Sequence, residues 1–212
     1  SNGIELFNIR PRNEGFMLPE IKLAFPDLGP MNGNAVTAVI SADSPERPRV
    51  PPPEWWKEIQ KIPEPRVALI HDIDHPVVGS FWGEVNANIH KALGCVGTVT
   101  DGSVRDLDEV RETGFQFFSS CISVSHAYVH LVEVGIPVKV GGLVVKSGDL
   151  ILGDKHGVIS IPLEIARDVP KAAQLMEDWE RRVINFCKSK EFNPEGLRER
   201  FMSPRPTWPP KK

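Results

Sequence analysis

Two neighbouring residues of opposite charge, Arg105 and Asp106, end the stretch GCVGTVTDGSVRD, residues 94–106. An arginine guanidinium matches a carboxylate with two parallel hydrogen bonds, and an aspartate oxygen is a hard ligand suited to magnesium or manganese. An adjacent cation and anion can therefore hold an organic acid and its metal ion together. The same pair also fits a structural role, because aspartate commonly begins helices and arginine commonly pairs with a surface acid.

The apolar run within this stretch positions a third polar residue, Asp101, at the carboxyl end of a predicted strand. Gly102, the next residue, permits a backbone conformation that other residues resist. Open α/β sheets bind ligands beyond the carboxyl ends of their strands. Asp101 therefore lies where a ligand site is expected.

A second turn, WGEVN at residues 82–86, begins the preceding predicted helix. The first turn of a helix presents unpaired backbone N–H groups and partial positive charge, which attract an anion. Two such helix starts, each following a strand, can face one cleft.

The elements that position these residues alternate between strands and helices. Apolar spacing and turn residues predict strands at 34–41, 66–72, 95–100 and 115–120, and helices at 81–94 and 106–114. This alternation predicts an α/β fold with a partly parallel sheet and helices on a face.

A proline-rich segment, residues 44–65, interrupts this pattern with seven prolines around one predicted helix, Glu54 to Ile62. We expect a surface excursion held down by Trp55 and Trp56, and a variable insertion without a chemical role is the simpler interpretation.

The second half of the chain has a different character. Residues 128–162 are predicted to form short alternating strands separated by glycine-containing turns. We expect an amphipathic helix at residues 163–190, with a break near Pro170. Residues 203–212 are predicted to form an extended arm.

Composition excludes several classes of protein. The 25 basic and 28 acidic residues give a formal net charge of −3, without the basic run that nucleic-acid binding requires. Three widely separated cysteines argue against a disulfide framework and for a reducing compartment, so we expect a cytoplasmic protein. No apolar stretch reaches the ~18 residues of a membrane span.

The chain resembles a known family in the segments GEVNANIHKALGCVGTVTDGSVRD and IPVKVGGLVVKSGDLILGDKHGVISIP. These look like the RraA-like family, which includes 4-hydroxy-4-methyl-2-oxoglutarate aldolases that also decarboxylate oxaloacetate. The resemblance covers roughly Gly33 to Val169. It implies a swivelling β/β/α fold with a β-rich core flanked by helices, and a homotrimer or homohexamer.

The resemblance also implies roles for individual residues. The family's substrate-binding turn matches Gly83, Glu84, Val85 and Asn86, whose backbone amides hold the pyruvyl group. Its substrate-binding arginine matches Arg105.

Further roles concern the metal ion. The family's Mg²⁺ or Mn²⁺ ligand matches Asp106, Glu84 contacts metal-bound water, and Asp101 supports the site. A neighbouring subunit contributes another acid in some members, for which Glu177 and Glu180 are candidates.

The implied function is a divalent-metal-dependent carbon–carbon lyase that releases pyruvate from a 4-hydroxy-2-oxo acid and decarboxylates oxaloacetate. The alternative is a non-catalytic regulator that binds an RNA-degrading endonuclease, as some relatives do. We expect a catalytic domain at residues 1–170, with the insertion at 44–65, followed by a C-terminal helix and tail at 171–212.

Two other groups of polar residues are candidate sites, but their spacing is weaker evidence for a function. His126 and His130 have the separation of two metal ligands on a helix, although their surroundings alternate as in a strand. The cluster His71, Asp72, Asp74 and His75 follows a strand and either borders the cleft or forms a polar loop; its four residues lie within positions 71–75.

Overall fold

The computed structural model describes residues 1–210, which divide into two compact units. The terminal unit combines residues 1–14 with the segment from Pro162 onward, and the core unit is Gly15–Ile161. Helices of the terminal unit are α1 (Asn2–Glu5), α5 (Val169–Cys187) and α6 (Pro194–Phe201). The functional division expected at residue 170 stays a prediction.

The core unit contains all the strands found between residues 1 and 210. They are β1 (Lys22–Leu23), β2 (Met31–Ser41), β3 (Arg66–Asp72), β4 (Ser80–Trp82), β5 (Cys95–Thr100), β6 (Ser103–Val104), β7 (Gln116–Ser119), β8 (Cys121–Ile122), β9 (His130–Val134), β10 (Val138–Val140), β11 (Leu143–Val145), β12 (Leu150–Asp154) and β13 (Gly157–Ile161). Its helices are α2 (Pro52–Lys61), α3 (Glu84–Ala92) and α4 (Leu107–Thr113), with a 3-10 turn at Pro26–Leu28.

The main sheet has eight strands in the order β1-β7-β5-β3-β2-β12-β13, and β9 also pairs with β2. The pairs β2–β3, β3–β5 and β5–β7 are parallel, which confirms the α/β class and the partly parallel sheet. Helices connect these parallel strands, as parallel pairing requires. The carboxyl ends of β3 and β5 consequently lie at one edge.

The proline-rich segment supplies the first of these crossovers. Its helix, α2, begins at Pro52, and prolines suit the first helical turn because their missing N–H group has no helical partner there. Trp55 and Ile59 are fully buried against the sheet, whereas Trp56 is exposed. Of the two expected tryptophan anchors, only Trp55 is buried in this way.

Two hydrophobic clusters lie on opposite faces of β2 because side chains alternate along a strand. Val36, Ala38 and Ile40 belong to one cluster, and Ala35 and Val39 belong to the other. Burial of both faces explains the unbroken buried runs at residues 35–41 of β2 and 67–70 of β3.

A small three-stranded parallel sheet, in the order β4-β6-β8, was not expected from the sequence. The helix predicted at 81–94 was wrong at its start, since Phe81 and Trp82 belong to β4 and α3 begins at Glu84. Pairing of β4 with β6 explains the difference, because both segments exchange backbone hydrogen bonds instead of continuing a helix or turn.

The helix predicted at 163–190 is shorter in the structure, where α5 spans Val169–Cys187, and α6 was not predicted. Pro170 lies in the first turn of α5 and does not break a longer helix, because proline is tolerated at that position. Residues 204–207 of the predicted arm contain neither helix nor strand, and residues 211 and 212 lie outside the described part. No helix within residues 1–210 is both long and apolar enough to cross a membrane.

Candidate active site

Asp106 lies between β6 and α4 in the left-handed backbone region, with φ of 54° and ψ of 47°. It occupies the N-cap position of α4, where the sequence predicts a helix start, but its side chain makes no capping hydrogen bond to that helix. Its Oδ2 atom instead accepts a hydrogen bond of 3.0 Å from the backbone N–H of Glu84. The carboxylate therefore joins the starts of α3 and α4.

Gly83 makes this close approach possible. A Cβ atom at this position would lie 2.5 Å from Oδ2 of Asp106 and 3.2 Å from Nε of Arg105. The backbone of Gly83 is extended, with φ of −158°, so space and not backbone freedom requires glycine here. The turn is built around the two side chains that follow β6.

Arg105 is fixed at its backbone and open at its side chain. Its N–H group donates to the carbonyl of Trp82 at 3.0 Å, which extends the pairing of β6 with β4. Its Nη1 atom lies 3.7 Å from Oδ1 of Asp106, and 38% of the side chain is exposed. This loose ion pair leaves guanidinium N–H groups free to bind a ligand.

The first turn of α3 adds backbone donors to the same place. The Glu84 amide is occupied by Asp106, while the amides of Val85 and Asn86 belong to the first turn and have no carbonyl one turn earlier to bond. The side chains of Glu84 and Val85 are exposed, and the Asn86 side chain donates to the carbonyl of Phe81 at 2.5 Å. The predicted turn therefore offers backbone N–H groups, and not side chains, to a ligand.

Asp101 and His71 form a second polar pair, joined by a hydrogen bond. One carboxylate oxygen lies 2.6 Å from Nδ1 of His71, and the other accepts the backbone N–H of Asp72 at 2.8 Å. The hydrogen bond to Asp101 raises the pKa of His71 above its ordinary value. His71 thus borders the strand ends in a fixed orientation, with its side chain about a quarter exposed.

Asp72, beneath this pair, is buried. Its Oδ1 accepts the backbone N–H of Asp74 at 3.0 Å, while its Oδ2 has no hydrogen-bond partner among residues 1–210. Burial raises the pKa of Asp72 to about 6. The sequence pointed to this polar cluster, but the pairing of His71 with Asp101 joins two strand ends that are separated by 30 positions, so local spacing alone did not indicate it.

The donor set at Asp106 fits a magnesium ion held by few protein ligands. Within residues 1–210 no group of three or more His, Cys, Asp or Glu side chains is arranged to hold a metal. Mg²⁺, however, commonly keeps several waters and binds one or two carboxylates together with its substrate. Oδ1 of Asp106 is held only by the loose contact with Arg105 and is available as such a ligand.

The two histidines considered as metal ligands do not lie on one helix, and the buried Nε2 atom of His130 has no hydrogen-bond partner among residues 1–210. His126 lies in a loop and His130 in β9, and the Nδ1 atom of each bonds a backbone carbonyl. The sequence context predicts inert core thiols at Cys95 and Cys121. Burial raises the pKa of Cys95 to about 12, which fits this prediction, but Cys121 is exposed and is not a core thiol.

The two acids considered for a neighbouring subunit both lie on α5. Glu177 pairs with Arg181 at 3.2 Å, and Glu180 accepts a hydrogen bond from Asn2 at 3.0 Å. Their role stays a prediction.

Comparison with known proteins assigns the chain to a family. The RraA-like family, described as Aldolase/RraA, matches residues 7–160 of the chain. The chain belongs to the RraA-like family. The resemblance seen in the sequence is thereby confirmed.

The curated relatives match this chain over only part of their own lengths. A protein of Halalkalibacterium halodurans, provisionally named as a 4-hydroxy-4-methyl-2-oxoglutarate aldolase, is 28% identical over 140 residues, which cover 66% of this chain and 60% of the relative. The curated relatives are matched over 20% to 60% of their own lengths.

Solved structures share the RraA-like fold. An uncharacterized protein of Pseudomonas syringae has a TM-score of 0.71 at 25% identity, covering 94% of this chain and 86% of the other. A Streptomyces coelicolor protein, described as an unusual member of the RNase ES inhibitor RraA family, has a TM-score of 0.66 at 22% identity, with 84% and 87% covered. The β-rich core with flanking helices is therefore the family fold.

Proposed function

We propose that this RraA-like chain is a divalent-metal-dependent carbon–carbon lyase. Its substrate is 4-hydroxy-4-methyl-2-oxoglutarate or a related 4-hydroxy-2-oxo acid, which it cleaves to pyruvate, and it also decarboxylates oxaloacetate. The observation that carries this proposal is the convergence of Arg105, Asp106 and the first turn of α3, with Gly83 leaving room for them. Family membership and the name of the H. halodurans relative support the same chemistry.

The residues of this turn bind and orient the acid. Arg105 holds its carboxylate or keto oxygen with two of its free N–H groups, and the amides of Val85 and Asn86 hold the remaining oxygens at the positive end of α3. Bond cleavage leaves an electron pair on the carbon next to the keto group, as an enolate. Positive charge placed in advance beside the keto oxygen lowers the barrier to that step.

Asp106 would hold Mg²⁺ or Mn²⁺, with Glu84 next to its water ligands. When bound, the ion supplies Lewis-acid stabilisation of the developing negative charge. Asp106 is oriented for this by its hydrogen bond to the Glu84 amide, and Asp101 supports the strand end before the turn.

Pyruvate release tests this proposal directly. Pyruvate would be measured with lactate dehydrogenase and NADH from each acid, after EDTA treatment and after addition of Mg²⁺, with a protein-free blank at each metal concentration. We expect turnover that requires the metal. Arg105→Ala and Asp106→Ala should each lower the rate about 100-fold, because the first removes positive charge placed for the transition state and the second removes the proposed metal ligand.

Matched controls come from the neighbouring helix α4. Arg111 is exposed and pairs with Asp27 at 2.8 Å, and Asp108 is exposed in the same helix. Arg111→Ala and Asp108→Ala should retain at least half of the activity. Unchanged rates in both Arg105→Ala and Asp106→Ala would overturn the assignment of this site. The absence of metal-dependent turnover, together with capture of an RNA-degrading endonuclease, would replace the enzyme proposal with the regulator.

We also propose that the protein assembles as a homotrimer or homohexamer. The supporting observation is a group of exposed apolar side chains on and after β8, which comprises Ile122, Val124 and Tyr128. Subunit contact would remove these side chains from water. Sedimentation velocity of the protein and of an Ile122→Asp/Val124→Asp variant measures this, and an unchanged sedimentation coefficient would place the contact elsewhere.

A further inference from the structure

A cavity of about 480 Å³ lies between the proline-rich segment and α3. Residues 49–52, Trp55 and Trp56 form one wall, and α3 with the start of β9 forms the others. The volume falls within the range of small-molecule sites, roughly 300–1,000 Å³. The candidate active-site pair Arg105 and Asp106 is not among the lining residues.

The walls of this cavity are fixed by hydrogen bonds beneath them. The indole N–H of Trp55 donates to Nε2 of His90 at 2.8 Å, and the other ring nitrogen of His90 donates to the carbonyl of Asn86 at 2.7 Å. Because Nε2 accepts a hydrogen bond, His90 is the neutral tautomer, and burial lowers its pKa to about 4. Because this wall is already ordered, little conformational entropy is lost when a ligand binds.

The lining is mostly apolar and rich in rings. Trp55, Trp56 and Phe81 contribute aromatic surface, and the remaining apolar contacts are Val50, Pro51, Pro52, Ile89, Val129 and Leu131. Such a surface favours a flat apolar or aromatic group, which gains from burial and from stacking.

The cavity lining contains an arginine and no carboxylate. Arg49 is exposed at the cavity and has no ion-pair or hydrogen-bond partner among residues 1–210, and no Asp or Glu lines the cavity. An anion in the cavity would meet the Arg49 guanidinium and the rings of His90 and His130, and it would meet no carboxylate. The free guanidinium matches a carboxylate bidentately.

We propose that this cavity is a binding site for an aromatic carboxylate, with the ring against Trp56 and Phe81 and the carboxylate on Arg49. The cavity shares Asn86 with the proposed substrate-binding turn, but neither Arg105 nor Asp106 lines it, so ligand binding in the cavity can be tested apart from lyase activity. It gives the proline-rich segment, which the sequence left without a role, a function in ligand recognition.

Isothermal titration calorimetry of the full chain with 2-naphthylacetate and its neutral analogue, 2-naphthylacetamide, tests the site. We expect the acid to bind, and Arg49→Gln to weaken its affinity at least tenfold. The amide should bind wild type and Arg49→Gln with affinities within twofold, because it lacks the charge.

Arg47→Gln is the matched control. Arg47 lies two positions away, is exposed, and bonds Asp43 at 2.9 Å outside the cavity, so the same loss of charge there should leave the affinity for the acid unchanged. Equal weakening by both arginine variants would show general electrostatic attraction and overturn the proposal.

A second variant tests the cavity itself. Ile89→Trp fills the space beside α3 and should weaken both probes at least tenfold while the circular dichroism spectrum is retained. Failure of both probes to bind wild type at millimolar concentration, or a lower sedimentation coefficient for Ile89→Trp, would assign the cavity to another occupant such as a second copy of the chain.

Discussion

The chemistry at residue scale depends on short contacts around Gly83. A methyl group at this position would overlap the carboxylate of Asp106, so its oxygen must move away from the Glu84 amide. Because the backbone of Gly83 is extended, the substitution does not strain the chain itself.

Gly83→Ala should therefore lower the proposed pyruvate-forming activity about 100-fold while the free energy of unfolding changes by less than about 1 kcal/mol. Steady-state rates and urea unfolding measure the two quantities. Val85→Ala, in the same turn with its side chain 71% exposed, is the control and should retain most of the activity. Equal activity in the two variants would contradict the role given to Gly83.

A second prediction at residue scale concerns the titration of His71. Its hydrogen bond to Asp101 raises its pKa, so Asp101→Asn should lower the pKa of His71, as followed by proton NMR of the imidazole. Asp154→Asn, which removes the carboxylate beside the exposed His156, should leave the pKa of His71 unchanged. A pKa of His71 unaffected by Asp101→Asn would show that the pair does not persist in solution.

Asp72 gives a prediction about stability and pH. Its pKa is raised from 3.8 to about 6 in the folded state, so the protonated carboxyl favours folding below pH 4, and this contribution is lost as the pH rises through 6. Asp72→Asn stays neutral throughout. Between pH 4 and pH 7.5 the wild type should therefore lose on the order of 3 kcal/mol of unfolding free energy relative to the variant.

Urea unfolding at several pH values measures this difference. Glu112→Gln, an exposed change on α4, is the control and should follow the wild type at every pH. A constant difference between wild type and Asp72→Asn would mean that Asp72 is ionised throughout this range.

At the scale of elements, α2 is the crossover between two central parallel strands and not a detachable insertion. Trp55 is 1% exposed and bonds His90, while its neighbour Trp56 is 37% exposed. Trp55→Ala should lower the unfolding free energy by about 3–5 kcal/mol, and Trp56→Ala by about 1 kcal/mol or less. Chemical denaturation compares the two, and similar losses would contradict this view of α2.

The sequence was most informative where its periodicity was strong and least informative where elements were short. The limits of Arg66–Asp72 and Cys95–Thr100 were predicted in full, because both strands are rich in apolar and β-branched residues between clear turn signals. Two- and three-residue strands such as β6 and β8 have no period to detect, and they form because β4 pairs beside them.

At the candidate site, too, some features could be predicted from the sequence and others could not. The types of Arg105 and Asp106, and their place before a helix, were visible in the sequence. Their contact with Gly83 was not, because it joins two turns more than twenty residues apart through a hydrogen bond that only the folded sheet creates.

At the scale of the whole molecule, the core unit holds both proposed sites, whereas the candidate acids Glu177 and Glu180 belong to the terminal unit. Both hydrophobic clusters draw their buried members from positions 17–158, and the two proposed sites lie between Arg49 and Leu131. The fragment Gly15–Ile161 should therefore unfold in one cooperative transition. Near-ultraviolet circular dichroism during thermal unfolding checks this, and a gradual change without a transition would contradict it.

The left-handed backbone at Asp106 limits which residues mutation can place there. Glycine, asparagine and aspartate tolerate this conformation best, and aspartate is the charged member of that group. A single base change converts an aspartate codon to one for asparagine or glycine. A lineage can therefore remove the negative charge while retaining the backbone turn, so the chemistry at this position is easier to lose by mutation than the fold that carries it.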